Sequence, residues 1–423
     1  MSSARALRLL VSGYGVLIVL GTALLWLPGA THVADLSWFT AFFTAVSAVC
    51  LVGLTLVETA TYFTPLGQGI VLLLIQASGL FYLFFALRLA RQLRRWSGEA
   101  AHAESMTTSS ILRRILVVAA LVEGGAFLLI YYSWGNYAFE SVSQKVGVTL
   151  FHAVSAFCNA GFSNLAGNLY TLPRAFILHL AVMMTFLLGG LGIDTLYDLF
   201  ARPRLRQRMA RPETDWRPDT KISVNMTIPL LGLGMGAIYL LEQNNALTDD
   251  LNLTEKLVGS LFQSATARTA GFYTINILQL ATPTLLVIMV LMLVGGGLGS
   301  TAGGIKTGTL YDSVAPDRAS TGRKQLAHWV IGYALVVNLL GLAVLYFTEA
   351  GASVPVLLFQ QVAAFSSVGL SHLPAQEFSG AGQGVLVVSM LLGRIGLLAL
   401  AMWRTLLNDT AGTGHRSATE VLP

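Results

Sequence analysis

Charged residues are scarce in this chain. Only 11% of its 423 residues are Asp, Glu, Lys or Arg, whereas hydrophobic residues make up 54%. Soluble domains carry about 25% charged residues, which solvate their surfaces. The composition therefore excludes an ordinary water-soluble protein and predicts an integral membrane protein with most of its length in lipid.

Cysteine is also nearly absent, and recognisable catalytic motifs are missing. Cys50 and Cys158 are the only two cysteines, so a disulfide framework is excluded, and their spacing does not suit zinc. The sequence contains no HExxH or GxSxG motif. We therefore expect no enzyme activity and no organic cofactor. The net charge of +5 comes from basic residues in short loops, so no nucleic acid is expected as a partner.

Eight apolar stretches are long enough to cross a membrane, which takes about 20 residues in a helix. They lie at 7–27, 66–90, 113–134, 173–198, 222–243, 281–311, 327–348 and 381–405. Between the members of each successive pair lies an apolar stretch that is too short to cross and is typical of a re-entrant segment. These four shorter stretches lie at 38–52, 147–160, 257–270 and 354–368.

Basic residues are concentrated in the loops on one side of these stretches. The segments 88–114, 202–221 and 318–324 contain most of the arginines, whereas the loops on the other side are mainly acidic. Cytoplasmic loops carry an excess of Lys and Arg. We therefore expect a multi-pass protein of the cell inner (cytoplasmic) membrane with both termini in the cytoplasm. All four short segments are then expected to enter from outside.

A related motif recurs in the four short segments. It reads FFTAVSAVCLVG up to Gly53, LFHAVSAFCNAG up to Gly161, LFQSATARTAG up to Gly271 and LFQQVAAFSSVG up to Gly369. Regular spacing with a shared motif indicates an internal repeat. The predicted fold is an all-α membrane protein with eight transmembrane helices and four re-entrant pore loops, arranged as four M1-P-M2 repeats with pseudo-fourfold symmetry.

The repeats are predicted to divide the chain at the basic loops. Repeat 1 covers 1–98, repeat 2 covers 99–212, repeat 3 covers 213–318 and repeat 4 covers 319–407, followed by a polar cytoplasmic tail over 408–423.

Four glycines at equivalent positions predict a cation site built from backbone carbonyls. Backbone that leaves a helix at membrane depth must be buried in protein or line a water-filled path. Carbonyls converging on such a path can replace the hydration shell of a desolvated cation, and glycine can turn its carbonyl at little steric cost. Close helix packing is the alternative role of membrane glycines. The predicted selectivity-filter residues are Val52, Gly53, Ala160, Gly161, Ala270, Gly271, Val368 and Gly369.

These segments resemble the Trk/Ktr/HKT superfamily of potassium transporters. The resemblance rests on SAVCLVGLT at 47–55, CNAGF at 158–162 and RTAGF at 268–272, and it extends over nearly the whole chain. The short length and the immediate start at the first span are more similar to the KtrB-type membrane subunit than to the longer TrkH type. In this family a filter glycine in all four repeats accompanies potassium selectivity. The resemblance therefore implies channel-like uptake of K+, held at the filter carbonyls.

The sixth apolar stretch contains the glycine-rich run VGGGLGSTAGGIKT at 294–307. So many glycines destabilise a helix interior, and we expect a break or flexible loop. A phosphate-binding loop is excluded because Lys306 follows Ile305 rather than glycine. The resemblance implies a gating loop over 295–306 beneath the filter, with close helix crossing as the alternative. Its predicted gating residues are Gly295, Gly296, Gly297, Gly299, Gly303, Gly304 and Lys306.

Arg394 lies in the middle of the last apolar stretch. An arginine at this depth is costly and by default marks a functional site. The resemblance implies that Arg394 is a gating residue that faces the pore, opposes cation passage and helps to hold the gating loop. A structural ion pair with a carboxylate such as Asp194 is the alternative. By the same resemblance, Arg268 is expected to brace the filter.

The resemblance also implies partners besides the lipid bilayer. It predicts a homodimer of pore subunits and a cytoplasmic ring of RCK-type, KtrA-like regulatory subunits that bind ATP or ADP. K+ is the expected transported ion, and dependence on Na+ stays open. A secondary cation transporter and a sodium-conducting relative with the same fold are the alternatives. Secondary transporters commonly contain inverted repeats, whereas these four segments enter from one side.

Overall fold

The computed structural model of the chain describes the residues 3–33, 37–96, 107–135, 137–172, 174–210, 216–243, 245, 251–314 and 320–406. Within these ranges the fold is all-helical, and β-structure is limited to isolated bridges. The predicted repeat boundaries after residues 98, 212 and 318 and the predicted tail over 408–423 lie outside the described residues.

The described residues form sixteen α-helices. They are α1 Ser3–Leu25, α2 Trp38–Val49, α3 Thr59–Tyr62, α4 Pro65–Trp96, α5 Thr108–Ser133, α6 Val142–Phe157, α7 Phe176–Leu191, α8 Ile193–Phe200, α9 Arg202–Ala210, α10 Pro218–Glu242, α11 Leu253–Thr266, α12 Thr282–Leu293, α13 Thr307–Val314, α14 Thr321–Thr348, α15 Val354–Phe365 and α16 Gly380–Leu391. After α16 the chain forms a π-helical turn, Leu392–Gly396, and stays helical to Leu406.

Six of the described helices are long and apolar enough to cross a membrane: α1, α4, α5, α10, α14 and α16 with its continuation. The pair α7 and α8, bent by 105°, raises this number to seven. Eight spans were predicted, and the difference lies at 281–311. There α12 is only 12 residues long, because the glycine-rich segment 294–306 is not helical and separates α12 from α13. The expected break is therefore present.

Each of the four predicted re-entrant segments contains one short helix: α2, α6, α11 and α15. Three of these helices begin at a residue whose side chain accepts a backbone N–H, namely Ser37, Ser141 and Asn252. The fourth instead has a proline in its first turn. Both devices suit a helix start, where the first N–H groups have no partner in the helix. Each helix ends shortly before its motif glycine, which leaves the glycine in irregular backbone.

The helices pack as four groups that are contiguous in sequence. Helix α2 contacts α1 and α4, α6 contacts α5 and α7, α10 contacts α11 and α12, and α15 contacts α14 and α16. Neighbouring groups meet through the pairs α4–α6, α7–α11, α12–α15 and α16–α2. The last pair joins the end of the chain to its beginning. The four groups therefore close into a ring.

Buried charges connect three of these groups at one end of the molecule. The Asp194 carboxylate, with a side chain only 3% exposed, lies 2.8 Å from Arg94 and 3.1 Å from Arg114. Arg94 also pairs with Asp219 at 2.6 Å. The cluster thereby joins α4, α5, α8 and α10. Asp194 was the alternative partner for Arg394, and that pairing is wrong because Asp194 is held by these two other arginines.

Replacing Asp194 with asparagine is expected to lower the free energy of unfolding by about 3–5 kcal/mol, because Arg94 and Arg114 each lose one buried charge partner and Arg94 keeps Asp219. Thermal unfolding of the detergent-solubilised protein, followed by size-exclusion chromatography, measures the effect. The matched control is Arg174→Gln, which breaks an ion pair with Glu255 whose arginine is 80% exposed and should cost less than about 1 kcal/mol. Equal shifts for both variants would contradict a stabilising role for the buried cluster.

Candidate ion pathway

The chain makes the same kind of turn after each short helix. The residue two positions before each motif glycine has a positive φ: Leu51 (53°), Asn159 (52°), Thr269 (86°) and Ser367 (53°). The four motif glycines also have positive φ values: Gly53 (90°), Gly161 (70°), Gly271 (79°) and Gly369 (81°). Residues other than glycine rarely adopt this region. Matched pairs of positive φ values therefore describe one backbone conformation that occurs four times.

These four turns meet one another. A Cβ atom placed on Gly53 would lie 2.7 Å from the Ala160 carbonyl oxygen, and one on Gly161 would lie 3.0 Å from the Gly271 Cα. A Cβ on Gly271 would overlap the Val368 carbonyl oxygen.

The fourth turn also contacts the first, because a Cβ on Gly369 would overlap the carbonyl oxygen of Val52. The contacts therefore run around a closed ring, and we call the eight residues that form it the glycine ring. All eight predicted filter residues belong to it: Val52, Gly53, Ala160, Gly161, Ala270, Gly271, Val368 and Gly369. The carbonyl oxygen of each residue before a glycine lies where two neighbouring turns meet.

Hydroxyl groups at the end of three short helices support the turns. Ser47 Oγ accepts a hydrogen bond from the Gly53 N–H at 3.1 Å. Ser155 donates to the Phe162 carbonyl at 2.7 Å, and Thr266 donates to the Phe272 carbonyl at 2.6 Å. The sequence analysis did not single out these residues, although the two serines share one position in the repeated motif.

A cavity of about 410 Å³ opens on one face of the glycine ring and is lined by all four glycines. The residues that follow the glycines, such as Leu54 and Phe162, also line it. Glu58 is the acidic residue among its described lining residues. Its carboxylate accepts hydrogen bonds from the Gly167 N–H at 2.7 Å and from Thr61 at 3.1 Å. A carboxylate at this mouth raises the local concentration of cations.

The glycine-rich segment 294–306 lies on the opposite face, where the short helices end. The Thr301 hydroxyl lies 2.9 Å from the Phe157 carbonyl, to which it donates, and 3.0 Å from Asn159 Oδ1. A Cβ on Gly303 would overlap the carbonyl oxygen of Ser366. The segment therefore touches the second and the fourth turn of the ring directly.

The predicted gating glycines allow this close approach. At each of the six positions an added Cβ would lie 3.0 Å or less from a neighbouring atom: Gly295, Gly296, Gly297, Gly299, Gly303 and Gly304. The segment is also hydrogen-bonded to the bend between α7 and α8, through Gly297 to Gly190 at 2.8 Å and through Ile193 to Gly299 at 3.1 Å. Close packing, considered above as the alternative role, is therefore a property of these glycines.

Arg394 reaches the segment from the last helix. Its side chain is 2% exposed, and its Nη1 donates to the Thr301 carbonyl at 2.7 Å. The guanidinium carbon lies 3.7 Å from the centre of the Tyr82 ring, a distance typical of a cation–π contact. Arg394 belongs to the π-helical turn Leu392–Gly396, a geometry found frequently at functional sites. Sequence reasoning missed Tyr82, because a tyrosine in an apolar span gives no separate signal.

Two further cations hold the backbone of the segment. The Lys306 side chain folds back toward the segment, and its Nζ lies 2.5 Å from the Ala302 carbonyl oxygen. Arg268 was expected to brace the filter, but its Nη2 donates to the Gly295 carbonyl at 3.0 Å. A cavity of only about 50 Å³, lined by residues of the segment and by Lys306 and Arg394, remains on this side. The segment therefore lies directly against this face of the glycine ring and leaves little free volume there.

An all-helical membrane fold with a ring of four backbone turns, a cavity on one face of the ring and a packed segment on the other is typical of a membrane cation-transport protein. The chain belongs to the TrkH family of cation transport proteins, whose sequence profile matches residues 16–411. This is a transport family rather than an enzyme family.

Curated relatives cover nearly the whole chain. Ktr system potassium uptake protein B of Bacillus subtilis (strain 168) is 31% identical over 92% of this chain and 91% of its own length. The protein of the same name from Vibrio alginolyticus is 31% identical, with 93% and 90% covered. Potassium/sodium uptake protein NtpJ of Enterococcus hirae is 29% identical, with 93% and 91% covered. The predicted membership of the Trk/Ktr/HKT superfamily and the KtrB-type resemblance are confirmed.

A solved structure has the same fold. The crystal structure of the potassium transporter TrkH from Vibrio parahaemolyticus superposes with a TM-score of 0.69 and covers 92% of this chain and 83% of its own. The sequence identity is 16%, so this comparison concerns the fold alone.

Proposed function

We propose that this chain mediates K+ uptake across the cytoplasmic membrane, with the glycine ring as its selectivity filter. The observation that carries the proposal is the closed ring in which four positive-φ glycines place the carbonyls of the preceding residues at their contacts. Carbonyl oxygens in such a ring replace the hydration shell of a cation. Potassium is the preferred cargo because three of the relatives are named for potassium uptake.

We further propose that the four helical groups are the four predicted M1-P-M2 repeats. The eighth crossing is then the combination of α12, the segment 294–306 and α13. The excess of basic residues in the loops supports cytoplasmic termini, and with this orientation the cavity of about 410 Å³ with Glu58 faces outside.

The segment 294–306 is proposed to be the gate. It lies against two turns of the ring, and Arg268, Lys306 and Arg394 each donate to one of its carbonyls. Hydrogen bonds that involve a charged group contribute about 1.5–3 kcal/mol each. Opening therefore requires that at least part of this clamp is released, which is a suitable point of control for a regulatory partner.

Partners and coupling ions belong to the same proposal. Two relatives are named as proteins of a Ktr system, which supports additional components such as an RCK-type, KtrA-like ring that binds ATP or ADP. A homodimer of this chain is proposed as the membrane unit. The name of the Enterococcus relative includes sodium and supports a sodium-dependent or sodium-conducting variant as the second candidate.

Uptake of Rb+ into proteoliposomes that contain this chain tests the proposal. External K+ should compete with Rb+, whereas external Na+ should not. Competition by Na+ as strong as that by K+ would favour the sodium-conducting alternative. Uptake that stops when an opposing sodium or proton gradient is imposed, at fixed membrane potential, would favour a secondary transporter.

Replacing Thr301 with valine should increase this Rb+ uptake about five- to tenfold. The variant keeps the volume but loses the contacts of the hydroxyl with Phe157 and Asn159, and neutral hydrogen bonds contribute about 0.5–1.5 kcal/mol each. Thr307→Val is the matched control, since the Thr307 hydroxyl is buried and has no hydrogen-bond partner among the described residues. Equal uptake by wild type and both variants would contradict a holding role for Thr301.

A further inference from the structure

A concave groove runs along the outside of the helical bundle between α5, α7 and α8. Its volume is about 710 Å³. Its lining is almost entirely apolar and includes Val117, Leu121, Gly125 and Leu129 of α5, facing Met184 of α7 and Phe200 of α8. The groove exists because the chain bends by 105° between α7 and α8. Without this bend, a continuous helix would pack along this side of α5.

The length of the groove matches one leaflet of a bilayer. Its lining on α5 extends from Val117 to Leu129, which corresponds to about 18 Å at 1.5 Å per residue. Half of the hydrocarbon core measures about 15 Å. Protein interiors and their lipid contacts are densely packed, so an empty groove of this size would lose many dispersion contacts. An extended acyl chain of a lipid has a suitable length for such a groove.

One end of the groove leads directly into a basic pocket. This second cavity, of about 180 Å³, shares Val117, Val118 and Tyr197 with the groove and is also lined by Arg113 and Arg114. The guanidinium carbon of Arg114 lies 3.9 Å from the centre of the Tyr197 ring.

The two arginines differ in their surroundings. Arg114 is oriented by its ion pair with Asp194 at 3.1 Å, whereas Arg113 is exposed. Both arginines precede the apolar lining on α5 by about one helical turn. If the lining lies among the acyl chains, the arginines lie at the level of the lipid headgroups. Arginine binds phosphate oxygens in a planar, bidentate manner.

We propose that the groove and this basic pocket together bind one anionic glycerophospholipid, with an acyl chain along α5 and the phosphate at Arg113 and Arg114. Charge complementarity selects this occupant. A membrane leaflet supplies phosphate at the required depth, and a narrow concave channel with a basic end suits a single chain with an anionic head. The site is separate from the ion pathway. One chain of contacts connects the two, because Asp194 pairs with Arg114 and its neighbour Ile193 donates its N–H to the Gly299 carbonyl.

Native mass spectrometry of the full chain in detergent, titrated with phosphatidylglycerol or with phosphatidylcholine of identical acyl chains, tests the proposal. We expect one saturable phosphatidylglycerol adduct per chain and no comparable phosphatidylcholine adduct. Glycerol 3-phosphate at the same concentration should not displace the lipid, because it lacks the acyl chain.

Two pairs of variants separate this groove from the remaining lipid-facing surface. Gly125→Leu fills the groove and should abolish the saturable adduct, whereas Gly124→Leu should not, since an added Cβ has free space at both glycines and only Gly125 lines the groove. Arg113→Gln should weaken phosphatidylglycerol binding about fivefold, in line with the contribution of one basic residue near a membrane surface. Arg8→Gln, at an exposed basic position of α1, should leave it unchanged.

Three outcomes would overturn the proposal. The first is equal binding of the two lipids, and the second is the same adduct in Gly124→Leu and Gly125→Leu. The third is a change in the monomer–dimer ratio of Gly125→Leu with unchanged lipid binding, which would assign the groove to a second copy of the chain. Size-exclusion chromatography of each variant confirms that the protein tested is folded.

Discussion

Replacing Gly53 with serine is expected to reduce the preference for K+ over Na+ by about tenfold or more. Gly53 has a φ of +90°, a region where other residues cost about 1–3 kcal/mol. Its Cβ would also lie 2.7 Å from the Ala160 carbonyl oxygen and 3.0 Å from the Gly161 backbone. The added side chain must therefore displace a carbonyl of the glycine ring, and a change of about 1.4 kcal/mol in relative ion binding equals a factor of ten.

The measurement is Rb+ uptake into proteoliposomes with K+ or Na+ as competitor. Gly29→Ser is the matched control, because Gly29 has nearly the same φ of +93° but an added Cβ there has no atom within 4 Å. This control carries the backbone strain without touching a carbonyl of the ring. An unchanged ratio of competitors in Gly53→Ser, with normal amounts of folded protein, would contradict the assignment of the filter.

Replacing Arg394 with methionine is expected to raise Rb+ uptake about ten- to hundredfold in the absence of any cytoplasmic partner. The variant removes the hydrogen bond to the Thr301 carbonyl at 2.7 Å and the contact with Tyr82. A charge-assisted hydrogen bond contributes about 1.5–3 kcal/mol, and every 1.4 kcal/mol shifts the population of the open gate about tenfold. The variant also removes a buried positive charge next to the proposed ion pathway.

Arg404→Met is the matched control. Arg404 lies further along the same helix and also stacks on an aromatic ring, with its guanidinium carbon 4.5 Å from the centre of Trp329. Arg394→Lys separates the two contributions of Arg394, because lysine keeps the charge but lacks the planar fork of arginine. Uptake at the wild-type level in Arg394→Met, or an equal increase in Arg404→Met, would contradict the role of Arg394 in holding the gate.

The features that repeat along the chain were those that could be predicted from sequence. The motif ending at each glycine predicted the four short helices, and the glycine-rich run predicted a break in the sixth apolar stretch, which follows α12. Both follow from local chemistry, because apolar half-helices and clustered glycines behave alike in most surroundings. The number of long continuous helices is smaller than the number of predicted spans for a related reason. Hydropathy marks 281–311 as one apolar stretch, whereas the glycine-rich run within it ends α12 after 12 residues.

Contacts between distant segments could not be predicted. The stacking of Arg394 on Tyr82 and the cluster around Asp194 join different helical groups. The binding of Arg268 to Gly295 joins two segments of one group that lie 27 residues apart in sequence. A single sequence holds no information on which distant side chains meet. The hydroxyl braces could have been found from the motif, since Ser47, Ser155 and Thr266 all take its sixth position. The third motif is one residue shorter only between this position and its glycine.

The most direct test of the account is the position of the ion itself. Crystals of the protein grown with Rb+ in place of K+ should show anomalous density within the glycine ring, at the level of the carbonyl oxygens of Val52, Ala160, Ala270 and Val368. Such density would place a desolvated monovalent cation on the proposed pathway. Rb+ density in the outer cavity near Glu58 with none in the ring, at saturating Rb+, would contradict the claim that these four carbonyls form the selectivity filter.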